Sequence, residues 1–308
     1  MSKLNIPSSV NAIQKKAKTF TLPGFNGFSV YYIVRLFLKE LGNNTIITRA
    51  QAIAFSFFLS LFPAILFAFT IIPYLPFKGL SAYVIELLST VFPDQSSLAV
   101  VRESIEEVIN EPRFGMMSLG FFAALYLVSN GVMTMIRSFD KSTSIFKKRN
   151  FIQNRAVSLS LTFILTILFL LCVFAIFVGD YLMEYFNEKV LFLDSFSAFL
   201  LQDLRYAIIF FLFLYSISAI YYFGPPVKTK WKFITPGSIM ATILIILITA
   251  GFSYYIRNFG QYNKLYGSLA TIIILQVWFY LNALVLLAGF ELNVVIHHEK
   301  SLRNTSEA

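Results

Sequence analysis

Six stretches of the chain carry no Asp, Glu, Lys or Arg: 50–77, 114–136, 156–179, 206–227, 233–256 and 265–290, each 22 to 28 residues long. A helix needs about 20 apolar residues to cross the hydrocarbon core of a bilayer. A water-soluble domain would have to bury six such helices in one core with no charged face on any of them. Lipid offers backbone N–H and C=O groups no partners, so each stretch is predicted to be a helix. Segments of about ten residues with alternating polarity, which a membrane barrel requires, are not seen. The predicted fold is all-α: a polytopic membrane protein with six transmembrane helices plus amphipathic interfacial helices. The spans are expected at about 50–76, 114–136, 156–179, 206–226, 233–256 and 267–290. They form one membrane domain, 28–296, with a polar segment 1–27 before it and a short tail 297–308 after it.

Helical periodicity of a different kind lies outside the spans. Val30, Ile33, Val34, Phe37, Leu38 and Leu41 recur at helical spacing, with Arg35, Lys39 and Glu40 opposite. That pattern fits a helix lying in the interface or one packed under the bundle. Between the first two spans, Leu80, Tyr83, Val84, Leu87, Leu88 and Val91 share a face, as do Leu98, Val101, Ile105 and Val108. Pro93-Asp94 separates these two patterns and Pro112 ends the second, which predicts a helical hairpin on the outer leaflet or a cap over the bundle.

Charge then sets the expected orientation. Of 25 Lys and Arg residues, 18 fall in the N-terminal region, the second-to-third and fourth-to-fifth connections and the tail. The positive-inside rule places that side, with both termini, in the cytoplasm. Acidic residues such as Glu103, Glu106, Glu107, Asp180 and Glu184 lie on the other side. The net charge of +9 is therefore read as loop charge beside anionic lipid headgroups rather than as a nucleic-acid surface. The first 27 residues are polar and contain Lys15, Lys16 and Lys18 without an apolar core, so the first span is expected to direct insertion in place of a cleaved signal. Cys172, the sole cysteine, falls within a span, and an intrachain disulfide is excluded.

Polar side chains inside spans are costly and usually face protein or water. Ser and Thr mostly bond within their own helix. Carboxamides are harder to hide, and Gln51, Asn130, Gln276 and Asn282 are the candidates for lining a polar cavity. At the basic edge, Arg49, Arg137, Asp140, Arg155 and Glu291 are candidate headgroup or gate residues, unless they serve as snorkelling anchors. Asn263 and Lys264 are their counterparts at the opposite mouth.

Five segments together resemble the YihY/BrkB family of bacterial inner-membrane proteins, once called ribonuclease BN. They are AIAFSFFLSLFP (52–63), SNGVMTMIRSFDKS (129–142), YYFGPPVKTKWKFITPG (221–237), YNKLYGSLATIIILQVWFY (262–280) and GFELN (289–293). The YNK-x-YGSL run and the closing E-L-N are the most specific of these. The family usually has Ala before that Glu, and Phe290 stands there in this chain. The resemblance covers about residues 30 to 296 and implies six spans, residence in the bacterial inner membrane and a part in envelope function; it implies no particular reaction.

Three readings of function follow. A carrier or flippase for a lipid or other amphiphile fits a charge-free bundle with polar groups at span ends and helix breaks at Pro63, Gly224-Pro225-Pro226 and Pro236-Gly237. An envelope scaffold or assembly factor fits the same pattern without a substrate. A membrane nuclease would need clustered carboxylates or histidines. His297 and His298 are adjacent and point apart on a helix, and no H-x-x-x-H, Walker A, C-x-x-C or G-x-S-x-G is present. No enzyme activity, metal, cofactor or nucleic-acid partner is expected; membrane lipids, with anionic headgroups on the cytoplasmic side, are.

Overall fold

The computed structural model describes residues 21, 23–42, 45–71, 114–139, 149–189, 195–227, 231–258 and 268–306. These segments form seven helices: α1 (Val30–Leu41), α2 (Thr45–Ile71), α3 (Phe114–Phe139), α4 (Phe151–Lys189), α5 (Ser195–Phe223), α6 (Pro236–Asn258) and α7 (Ser268–Ser306). The hairpin expected within 80–108 lies outside the described residues, as do Asp140, Asn263 and Lys264. α2 to α7 are each long and apolar enough to cross a membrane. Their outward surfaces carry exposed large apolar groups, among them Phe122, Phe169, Phe174 and Leu247. An apolar surface of that extent suits lipid and not water.

The chain divides into two compact units, residues 1–54 with 132–308 and residues 55–131. In the smaller one, the C-terminal part of α2 and the N-terminal part of α3 run antiparallel. Gly131 lies against the Phe57 ring, and Gly120 sits so close to Phe67 that a Cβ there would be 3.2 Å from the Phe67 backbone nitrogen. Phe67 and Phe121 close the same crossing, their ring centroids 5.3 Å apart.

In the larger unit α4 packs on α5, α5 on α6, α6 on α7, and α7 on α1. Local chemistry sets the helix starts. Asn150 precedes α4, and its N–H donates to Gln153 Oε1 at 3.1 Å, one half of a capping box. α6 begins with Pro236, which suits the first helical position because its missing N–H is not needed there. Thr235 and Ser238 cap that helix reciprocally, each side-chain oxygen accepting from the other's N–H.

α1 is packed under the bundle, the second of the two arrangements its pattern allowed. Ile33 is fully buried with Phe25, Leu292, Val295 and Ile296, while Val34 and Leu38 of the same apolar stripe stay exposed. Tyr32 donates to Glu299 Oε2 at 2.9 Å. That hydrogen bond, followed by desolvation and the carboxylate's charge, raises the phenol pKa. This packing also explains why α7 runs on to Ser306 past the last charge-free run: Leu292, Val295 and Ile296 keep a buried face after the charges resume.

Candidate functional site

Among the described residues of the larger unit, polar side chains gather at the end where α2 starts and α3 and α5 stop. α7 crosses it with the segment Gly289-Phe290-Glu291-Leu292-Asn293, and four of the five residues have a specific task. Gly289 meets α6 at closest approach. A Cβ there would lie 2.7 Å from Gly237 O and would also collide with the Tyr221 hydroxyl. A Cβ on Gly237 would strike Gly289 O and stand 2.6 Å from Asn293 Oδ1. Two glycines therefore set the α6–α7 distance, as small residues do where membrane helices approach closely.

Phe290 stacks on Phe139, with centroids 4.3 Å apart, and lies 5.7 Å from Trp231. Glu291 is fully buried, and its Oε1 stands 3.9 Å from Arg49 Nη1. The same Arg49 nitrogen donates to Ser138 O at 3.3 Å. Asn293 Oδ1 accepts from Gly237 N at 2.9 Å, and its Nδ2 donates to Thr235 Oγ1 at 2.9 Å. Its amide thus completes the cap of α6 from another helix. Tyr221 donates to Leu286 O at 2.7 Å. Arg149 Nη1 donates to Gly224 O at 2.7 Å, satisfying a carbonyl that the end of α5 leaves open.

The sequence-derived candidates lie on several helices. Arg49 and Glu291 are brought together. Arg137 is exposed, and its guanidinium lies over the Phe151 ring at 5.7 Å from the centroid, the posture of an edge anchor. Arg155 is half-buried near the start of α4, where its carbonyl accepts from Ser158. Gln51 is exposed on α2, and Asn130 is exposed in the smaller unit. Gln276 and Asn282 are half-buried on α7. Asn282 Nδ2 donates to Trp278 O at 2.8 Å within its own helix. Gln276 Oε1 and Asn282 Oδ1 are both buried without a hydrogen-bond partner among the described residues, as are Ser218 Oγ on α5 and, in the smaller unit, Ser129 Oγ.

At about 100° per residue, Asn282 shares a face of α7 with Gly289 and Asn293, within about 40°. Gln276 falls on another face, about 60° from Glu291. α7 therefore carries two polar lines, one toward α6 and one on the side of Arg49. Sequence reading misses Asn293, Trp231, Tyr221 and Arg149. The first three lie in the segments that carry the family resemblance, and Arg149 ends the Lys147-Lys148-Arg149 run.

The sequence has counterparts among known proteins. The family described as virulence factor BrkB matches residues 37–308. The chain belongs to the BrkB family. It is 31% identical over 274 residues to the ribonuclease-like protein YfkH of Bacillus subtilis, covering 86% of this chain and 97% of that one. To the UPF0761 membrane protein PSHAa0171 of Pseudoalteromonas translucida it is 30% identical over 278 residues, 88% of this chain and 87% of that one. No solved structure matches it. The BrkB-family chain is an integral, multi-pass membrane protein. Where the family usually has Ala before the Glu, Phe290 is fully buried and completes an aromatic cluster with Phe139, Tyr221 and Trp231.

Proposed function

We propose that this BrkB-family protein is a carrier or flippase that moves a lipid or another amphiphile across the bacterial inner membrane in the service of the envelope. The distribution of 18 of 25 basic residues supports a cytoplasmic position for both termini and for the polar end built around Glu291.

The observation that carries the reading is the state of the amides on α7. Gln276 Oε1 and Asn282 Oδ1 are buried with no protein hydrogen-bond partner among the described residues. An acceptor left open in this way costs about 1–3 kcal/mol. A scaffold with dry helix interfaces has every reason to pair such groups or do without them. A path for a polar headgroup needs open acceptors and donors along the span, filled by water or substrate as it passes. Asn282 lies about 16 Å from Asn293 along one polar line of α7, and Gln276 about 22 Å from Glu291 along the other, so polar groups reach from the basic end well into the span on both lines.

No catalytic step enters this proposal. Among the described residues no three His, Cys, Asp or Glu side chains gather within reach of one metal ion, and the word ribonuclease in the name of YfkH is not carried over.

The test is reconstitution of the full chain into proteoliposomes with a fluorescent lipid and a membrane-impermeant quencher. Transbilayer movement faster than in empty vesicles is expected for at least one of phosphatidylglycerol, phosphatidylethanolamine and phosphatidic acid. Rates equal to those of empty vesicles for all three defeat the carrier and favour the scaffold.

A further inference from the structure

A cavity of about 400 Å³ opens where residues 23–27, the run leading into α6 and the C-terminal part of α7 come together. Trp231, Lys232, Thr235, Asn293, His297 and Lys300 contribute to its wall. That volume suits a small ligand or a headgroup. Among the described residues that line it there is no Asp or Glu. Lys232 and Lys300 are exposed and make no ion pair among the described residues.

Trp231 supplies the second observation. It is 8% exposed, and its Nε1–H is buried with no acceptor among the described residues. A buried indole N–H ordinarily has a partner. Phe290 at 5.7 Å and His297 at 5.9 Å hold the ring from its sides. The acceptors nearby are already engaged: Asn293 Oδ1 takes Gly237 N–H, and Thr235 Oγ1 takes Ser238 N–H and the Asn293 amide. Donors and positive charge are what remain. The N-terminal end of α6 adds its dipole field, although its first N–H groups are capped.

We propose that this cavity binds a phosphate-bearing anion, presented by a lipid headgroup or as free phosphate, with Lys232 and Lys300 as the neutralising cations and Trp231, whose buried indole N–H has no acceptor among the described residues, in its wall. A phosphate group suits two lysines because it offers several acceptor oxygens and lysine binds it as a point charge. A choline or ethanolamine headgroup brings a cation into a cavity without a carboxylate, and is disfavoured. The site stands whether or not its ligand crosses the bilayer; it rests on the carrier reading only for what the binding serves.

The chain has two tryptophans, so Trp278→Phe leaves Trp231 as the sole tryptophan reporter. The full chain in detergent is titrated with dihexanoyl phosphatidic acid, dihexanoyl phosphatidylcholine and inorganic phosphate. A saturable change in Trp231 emission with phosphatidic acid is expected, with affinity falling about tenfold or more in a Lys232→Gln, Lys300→Gln double variant. Saturation by inorganic phosphate with the same lysine dependence assigns the site to free phosphate and upholds its chemistry. An equal response to phosphatidylcholine, indifference to the lysines, or no response to either phosphate source overturns it. Should Trp278→Phe not fold, radiolabelled phosphatidic acid bound to the wild-type protein and to the lysine double variant answers the same question. Binding without transbilayer movement removes the carrier and leaves the site; movement without binding does the reverse.

Discussion

Arg49 Nη1 stands 3.9 Å from the fully buried carboxylate of Glu291, joining the start of the first span to the last. Desolvation makes the two partners unequal, because Arg49 keeps 27% of its side chain exposed while Glu291 has no contact with water. Removing the arginine takes the opposite charge away from a buried carboxylate. Removing the carboxylate leaves a cation that can reach solvent.

Arg49→Ala is therefore expected to destabilise the protein more than Glu291→Gln. A broken buried pair costs about 3–5 kcal/mol at most, and less where water reaches one partner. Replacing both residues by Met should recover most of the loss, since an apolar pair of similar volume carries no desolvation cost. Thermal unfolding in detergent measures this series. A Glu291→Gln variant less stable than Arg49→Ala shows that the carboxylate's other contacts outweigh the pair.

The α6–α7 crossing yields a second expectation. Gly289→Ala would drive a methyl group against the Tyr221 hydroxyl and to 2.9 Å from Ala241 Cβ, both on packed helices with little room to shift. Overpacking of this kind costs about 1–3 kcal/mol. Gly251→Ala is the internal control: no atom lies within 4 Å of the place its methyl group would take, and alanine favours a helix over glycine by about 0.5–1 kcal/mol. Opposite shifts in melting temperature are expected. Equal tolerance of both substitutions refutes the close crossing.

How far the sequence is legible depends on the range of the interaction. The spans can be read because absence of charge over 22 or more residues is a local property that the bilayer enforces on every helix. Arg49 and Glu291 can be nominated singly because charges near a span are rare. Their pairing, and the service of Asn293 to α6, depend on which helices become neighbours, and no spacing encodes that. Trp231 escapes notice because one tryptophan at a span edge looks like an interfacial anchor; only burial of its N–H separates the two roles. The stripe on α1 reads as a single face, yet it divides between a buried Ile33 and an exposed Val34, because α7 covers only part of it.

Orientation gives a third expectation. A reporter that is active only outside the cytoplasm, fused after Ala308 or within 140–148, should be silent, and a fluorescent protein that matures in the cytoplasm should be bright at both places. The reason is the excess of Lys and Arg in these segments, since translocating each would work against the membrane's charge asymmetry. Activity of the periplasmic reporter at the C-terminus would invert the protein and move the Arg49–Glu291 end to the outer face.

The polar lines on α7 give the last. Gln276 and Asn282 are half-buried, and each has a buried oxygen that no described residue satisfies. Water can satisfy such an oxygen only where there is volume and a route from the aqueous phase. Single cysteines at positions 276 and 282, in a Cys172→Ala background, should react with a small charged thiol reagent in inverted vesicles, and more slowly after phosphatidic acid analogues are added. Cys172 is the chain's only cysteine, so in the Cys172→Ala background all labelling reports the introduced positions. Cysteines at Phe169 and Leu247, exposed on apolar helix faces, serve as lipid-facing controls, because a charged reagent does not partition into hydrocarbon. Labelling at 276 and 282 above those controls supports a hydrated path along α7. Labelling no faster than at the controls makes the α7 amides dry, and the carrier then loses the observation on which it stands.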